Sequence, residues 1–191
     1  MSARPIATTR TAAGLPTGRL GVWWVIASEI VIFGGILASY IMHRLAHDAW
    51  SVQAAHTNTW IGAGNTFVLL TSSLFAVLGH KAATEGDGAR AARMLRLTAL
   101  GGVTFLVVKA FEWTSEITHG FTITSSTFWS FYYTAAGLHA AHVAAGVVIL
   151  LIVAAQAARN EELHRVELIG IYWHFVDIVW IFLFPLLYIA K

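Results

Sequence analysis

Two Glu-x-x-His pairs stand out among the residues able to do chemistry: Glu116 with His119, and Glu161 with His164. Di-iron carboxylate bundles draw ligands from two such pairs and further Glu residues. Histidines also recur at three-residue spacing in His139-Ala-Ala-His142, and His174-Phe-Val-Asp177 sets an imidazole and a carboxyl one helical turn apart. That spacing allows metal chelation, or a bis-histidine haem if facing helices carry the rings at one depth. It equally allows hydrogen bonds between helices that fix their register, and spacing alone favours this use. Lys109, Glu112 and Glu116 fall at i, i+3 and i+7, within about 60° of one another on a helix. Glu29 is isolated in an apolar run. Without cysteine there are no disulfides, iron–sulfur ligands, thiolate zinc sites or Cys-attached haem.

The elements that must position these residues follow from composition. Of 191 residues, 57% are hydrophobic and 12% charged, against about 25% charged in soluble domains. So little charge cannot cover a water-soluble domain, which excludes an ordinary cytosolic enzyme. The net charge of +2 is too small to point to nucleic acid. Five apolar stretches, about 20–42, 61–78, 94–118, 128–158 and 168–190, can each cross a bilayer. The expected fold is all-α: one polytopic five-helix bundle over 20–191, with residues 1–19 as a tail. The fourth span, roughly 46 Å as a helix, must tilt or project.

Basic residues set the direction. Arg4, Arg10, Arg19, Lys81, Arg90, Arg93, Arg96, Arg159 and Arg165 all fall on one side, leaving Arg44 and Lys191 on the other and Lys109 within a span. The positive-inside rule then puts the N-terminus in the cytoplasm and the C-terminus outside. The Thr- and Ala-rich first 18 residues have no apolar core before a cleavage site, so they read as a cytoplasmic tail and not a signal peptide. Glu85-Gly-Asp-Gly88 marks a tight turn.

Topology then sorts the chemistry. Glu116 and His119 fall at the outer boundary, while Glu161 and His164 fall in a cytoplasmic loop. A membrane thickness separates the two pairs, so they cannot share a di-iron centre. His174, between Trp173 and Phe175 and one turn from Asp177, reads as a hydrogen-bonded imidazole and not a haem ligand. No metal or haem is expected in this chain. Lys109, Glu112 and Glu116 read as a structural ion network, with Lys109 and Glu112 pairing within their helix. Glu29 lies ten residues past Arg19, about 15 Å deep. Packing, lipid binding and proton-related roles are all open to it. His80 and His164 lie on the cytoplasmic side with Glu85, Asp87 and Glu167. Imidazoles titrate near neutral pH and suit proton relay. The same charges also serve to set topology and bind anionic headgroups.

The motifs resemble a known family. Gly21–Tyr40, GVWWVIASEIVIFGGILASY, looks like the first retained helix of subunit III of haem–copper terminal oxidases, and NTFVLLTSS, Asn65–Ser73, like the next. AGLHAAHV, Ala136–Val143, is similar to the family's TGxHGxHV, and GIYWHFVDIVWIFLFPLLY, Gly170–Tyr188, to its closing YWHFVDxVW signature. The motifs come in family order over nearly all of residues 19–190. Glu29 takes the place of the family's buried helix carboxylate, Glu112 and Trp113 that of its Glu-Tyr pair, and His139, His142, His174 and Asp177 its motif His and Asp positions. Ala136 and Ala140 depart from the usual Thr and Gly. Two N-terminal helices of the seven-helix forms are missing, as in the five-helix bacterial form.

The resemblance implies a non-redox subunit of a proton-pumping cytochrome c or quinol oxidase in the bacterial plasma membrane. It would have no cofactor of its own, haems and copper residing in partner subunits. It would pack on catalytic subunit I with subunit II and a small subunit IV, bind phospholipid between helices, and support proton uptake through residues such as Arg19, Glu29, His80 and His164. The alternatives are the related accessory protein of nitric oxide reductases and a stand-alone membrane metalloenzyme.

Overall fold

The computed structural model describes Gly14 and residues 16–46 and 50–190. The readings placed on Arg4, Arg10 and Lys191 lie outside the described residues. In chain order come α1 (Thr17–Ala46), the short α2 (Trp50–Ala54), α3 (Thr59–Thr84), α4 (Gly88–Thr118), α5 (Thr127–Ala157) and α6 (His164–Phe184). A π turn, Pro185–Ile189, closes the described chain. Five of these helices are long and apolar enough to cross a membrane, the last running on through the π turn, and the protein is an all-α, multi-pass membrane bundle.

The helices outrun the apolar stretches because their ends are built from interface residues. At about 1.5 Å per residue, the 31 residues of α4 and of α5 exceed a hydrocarbon core of about 30 Å. Polar caps terminate them. Asn58 accepts the Trp60 and Ile61 N–H groups at the start of α3, and Asp87 accepts that of Arg90 at the start of α4. Gly86, at φ +80°, makes the left-handed step between α3 and α4 that a side chain would strain. Asn160 extends the connection, its side-chain oxygen accepting the Gly88 N–H at 3.0 Å. This ties the α5–α6 loop to the α3–α4 turn.

α3, α4, α5 and α6 form a closed ring in which each helix packs on its neighbours. Trp173 of α6 fills the centre. It is fully buried and donates its indole N–H to Ser72 of α3 at 3.1 Å. Its ring lies against two glycines. A Cβ at Gly102 of α4 or Gly146 of α5 would stand 2.6 or 2.9 Å from it. α1 sits outside the ring in the groove of α5 and α6. Its buried residues Ile26, Phe33 and Tyr40 recur every seven positions, a single narrow seam.

Candidate functional site

The polar residues inside the spans fall into separate clusters, one per helix seam. The largest joins α4, α5 and the π turn. Lys109 Nζ donates to Glu112 Oε2 at 3.0 Å, to Tyr132 Oη at 3.1 Å and to Tyr188 Oη. Tyr132 and Tyr188 in turn donate to Glu112 Oε1 at 3.0 and 2.6 Å. All four side chains are buried. The ammonium has three hydrogens and three acceptors, and both carboxylate oxygens accept, so the cluster is neutral and saturated. The rings of Tyr132, Tyr188, Trp180 and Trp113 surround the cation at 5.0 to 5.5 Å, supplying further stabilisation through their π faces. A lone buried ammonium would cost several kcal/mol; here every charge-bearing atom has a partner.

Glu116, one turn further out, lies outside this set of bonds. It lines a pocket of about 270 Å³ with His56, Asn58, Ser115 and His119. Glu112 reaches the same pocket, so the three charged residues share a helix face but only two share a bonded cluster.

A second pair bridges α1 and α5. Glu29 Oε2 lies 3.1 Å from His142 Nε2, although off the line a hydrogen bond needs. The other ring nitrogen, Nδ1, sits 2.8 Å from the Leu138 carbonyl. A carbonyl only accepts, so Nδ1 carries a proton. Nε2 is the ring nitrogen that faces the Glu29 carboxyl.

On α6, His174 Nδ1 lies 2.6 Å from Ser73 Oγ of α3. The hydrogen bond between helices that the spacing allows thus runs from the fifth span to the second. Asp177, one turn on, is buried with neither carboxyl oxygen hydrogen-bonded. His139 is fully buried, stacked on Trp180 and edge-on to Phe105, with both nitrogens unbonded. The imidazoles of residues 139, 142 and 174 therefore sit in three different environments. Among the described residues, no three His, Asp or Glu side chains converge as a metal site would require.

The basic end of the bundle collects the remaining candidates. Arg19 pairs with Glu167 at 2.5 Å, joining the first turns of α1 and α6. His164 Nδ1 lies 3.5 Å from Glu162, which also faces Arg165 at 3.4 Å. His80 is half-buried near the end of α3. The two Glu-x-x-His pairs lie at opposite ends of the bundle, Glu116 and His119 at the end of α4 and Glu161 and His164 at the start of α6. Between α1, α5 and α6 opens an apolar cleft of about 580 Å³, lined among others by Val22, Val25, Ile152 and Tyr172, with Gln156 and Arg165 at its basic end.

Tyr132, Tyr188 and Ser73 were not legible as partners in the sequence. Their partners are 23, 79 and 101 positions away, and a tyrosine near a span end reads as an interface anchor.

Residues 6–191 match the family of cytochrome c oxidase subunit III. The chain is 34% identical to cytochrome c oxidase subunit 3 of Corynebacterium diphtheriae, over 87% of this chain and 84% of that one. It is 32% identical to the proteins of the same name from Thermostichus vulcanus and Bacillus subtilis, each over 89% of this chain and over 86% and 84% of theirs. The dispersal of the intramembrane acids and bases into helix seams and this match over nearly the whole chain agree, and the chain belongs to the cytochrome c oxidase subunit III family.

Proposed function

We propose that this chain is the non-redox third subunit of a proton-pumping haem–copper oxidase of aerobic respiration, seated in a bacterial plasma membrane with its N-terminus cytoplasmic and its C-terminus outside. Residues 20–191 act as one unit that steadies catalytic subunit I. Subunit II and a small subunit IV complete the assembly, and haems and copper belong to the partners. The shared name of the relatives supports cytochrome c, and not quinol, as the donor to the complex.

The observation that carries this reading is the saturated Lys109–Glu112–Tyr132–Tyr188 cluster. It uses the strongest polar groups of the membrane interior to close the bundle, leaving a rigid body suited to bracing a partner. The apolar cleft beside α1 supports phospholipid binding. Its walls fit acyl chains, and Arg165 at its basic end suits an anionic headgroup. Arg19, His80 and His164 at that end, with the Glu29–His142 pair deeper, support a contribution to proton uptake.

The test is purification by a tag on this chain from its native membrane. Haem-bearing subunits should come with it in fixed ratio, and the isolated subunit should show no haem spectrum. Stoichiometric haem or metal retained by the isolated chain would overturn the reading.

A further inference from the structure

His174 is ten residues from the first residue of α6 and ten from the last, about 15 Å from either end. Its partner Ser73 lies at a similar depth in α3. Ser73 occupies Nδ1 at 2.6 Å, and the ring is only partly covered, with no bond to Nε2. One polar nitrogen is thus turned toward the exterior of the bundle near the bilayer midplane. Acyl chains offer it nothing, and lipid headgroups are too far away.

The surroundings describe what can. On α3, Leu70 and Val77 stand three residues before and four after Ser73; on α6, Ile178 and Ile181 stand four and seven after His174. These positions share the faces of Ser73 and His174, and their exposures run from 44% to 51%. The result is an apolar-walled groove with a polar spot at mid-depth. Apolar walls do not hold a water-filled cleft. They match an apolar helix carrying a single hydrogen-bonding side chain, the pattern by which transmembrane helices associate.

We propose that the α3–α6 groove centred on Ser73 and His174 seats one transmembrane helix of another subunit of the complex, and that this helix presents a hydroxyl or amide side chain to His174 Nε2. Either group can donate or accept, so it serves whichever ring tautomer the Ser73 contact selects. The inference rests on the oxidase-subunit reading and adds the face by which the subunit is held.

Photocrosslinking in intact membranes tests it. With p-benzoylphenylalanine at position 178 in the full complex, the expected product is a covalent adduct between this chain and a different subunit. Adducts with lipid alone, or with a second copy of this chain, while haem-bearing subunits still co-purify, would overturn the groove assignment and leave the functional reading intact. Loss of co-purification from the unsubstituted chain would instead sink the functional reading. In parallel, His174→Leu should speed release of the subunit into detergent about three- to tenfold, the equivalent of one interhelical hydrogen bond. His174→Gln should restore most of the retention. Unchanged release of the Leu variant would also overturn the proposal.

Discussion

Lys109 and Glu112 behave as one object because each fills the other's vacancies. Glu112→Ala leaves a buried ammonium without its counter-charge and should cost about 3–5 kcal/mol, read as a large fall in the melting temperature of the solubilised subunit. Replacing both, Lys109→Met with Glu112→Leu, removes charge and counter-charge together and should cost less than Glu112→Ala alone. A double-mutant cycle measures that coupling. The Glu29–His142 contact differs in kind, being a single approach of two side chains with no closed set of bonds around it. Glu29→Gln keeps the shape and supplies an N–H to Nε2, so α1 should stay docked and the complex assembled. Loss of assembly in that variant, measured by co-purification, would show that the carboxylate itself is required.

The ring of α3 to α6 depends on how closely its helices approach Trp173. Gly102→Ala and Gly146→Ala each insert a methyl where the indole already sits. The ring is rigid and enclosed, so each variant should destabilise by about 1–3 kcal/mol, visible as lower thermal stability in detergent with the helical content unchanged. The five spans were readable from apolar runs, and the Glu85–Gly88 turn from its glycines. The ends of α1, α3 and α4 were not, because Thr17–Arg19, Gly79–Thr84 and Gly88–Arg93 are helical residues in the interface, where hydropathy is silent. The π turn was equally hidden. Pro185 lacks the N–H that an α-helix would use, yet the chain continues by a wider step in which the Ala190 N–H reaches the Pro185 carbonyl at 2.8 Å. Glu29, His142 and His174 were visible as chemically capable residues. Which seam each one faces depends on helix rotation, which one-dimensional spacing does not contain.

At the scale of the whole molecule, α1 is the long helix least packed against the others, touching α6 and α5 from outside the ring. One seam of Ile26, Phe33 and Tyr40 holds it, with polar pins at three depths: Arg19–Glu167, Glu29–His142, and Tyr40, whose hydroxyl donates to the Leu186 carbonyl at 2.6 Å. Amide hydrogen exchange in detergent should show α1 opening before the ring does. Equal protection of α1 and α4 would contradict that. The basic end invites a functional measurement. If its imidazoles and carboxylates gather protons for the partner, stripping the subunit from the complex should lower turnover most steeply at alkaline pH, where protons are scarce. A uniform loss at every pH would leave the bracing role alone.

The saturated cluster also has an order in time. Lys109 and Glu112 leave the ribosome together and can pair at once, but Tyr132 comes 23 residues after Lys109 and Tyr188 79 residues after. Until the π turn is synthesised, α4 waits in the membrane with an ammonium short of one acceptor and a carboxylate short of one donor. Tyr188 therefore completes the cluster only late in synthesis. A chain ending at Phe184 should still insert all of its long helices, yet be degraded faster than the full-length protein in a pulse–chase experiment. That outcome would make the Tyr188 hydroxyl the group whose arrival completes the buried cluster.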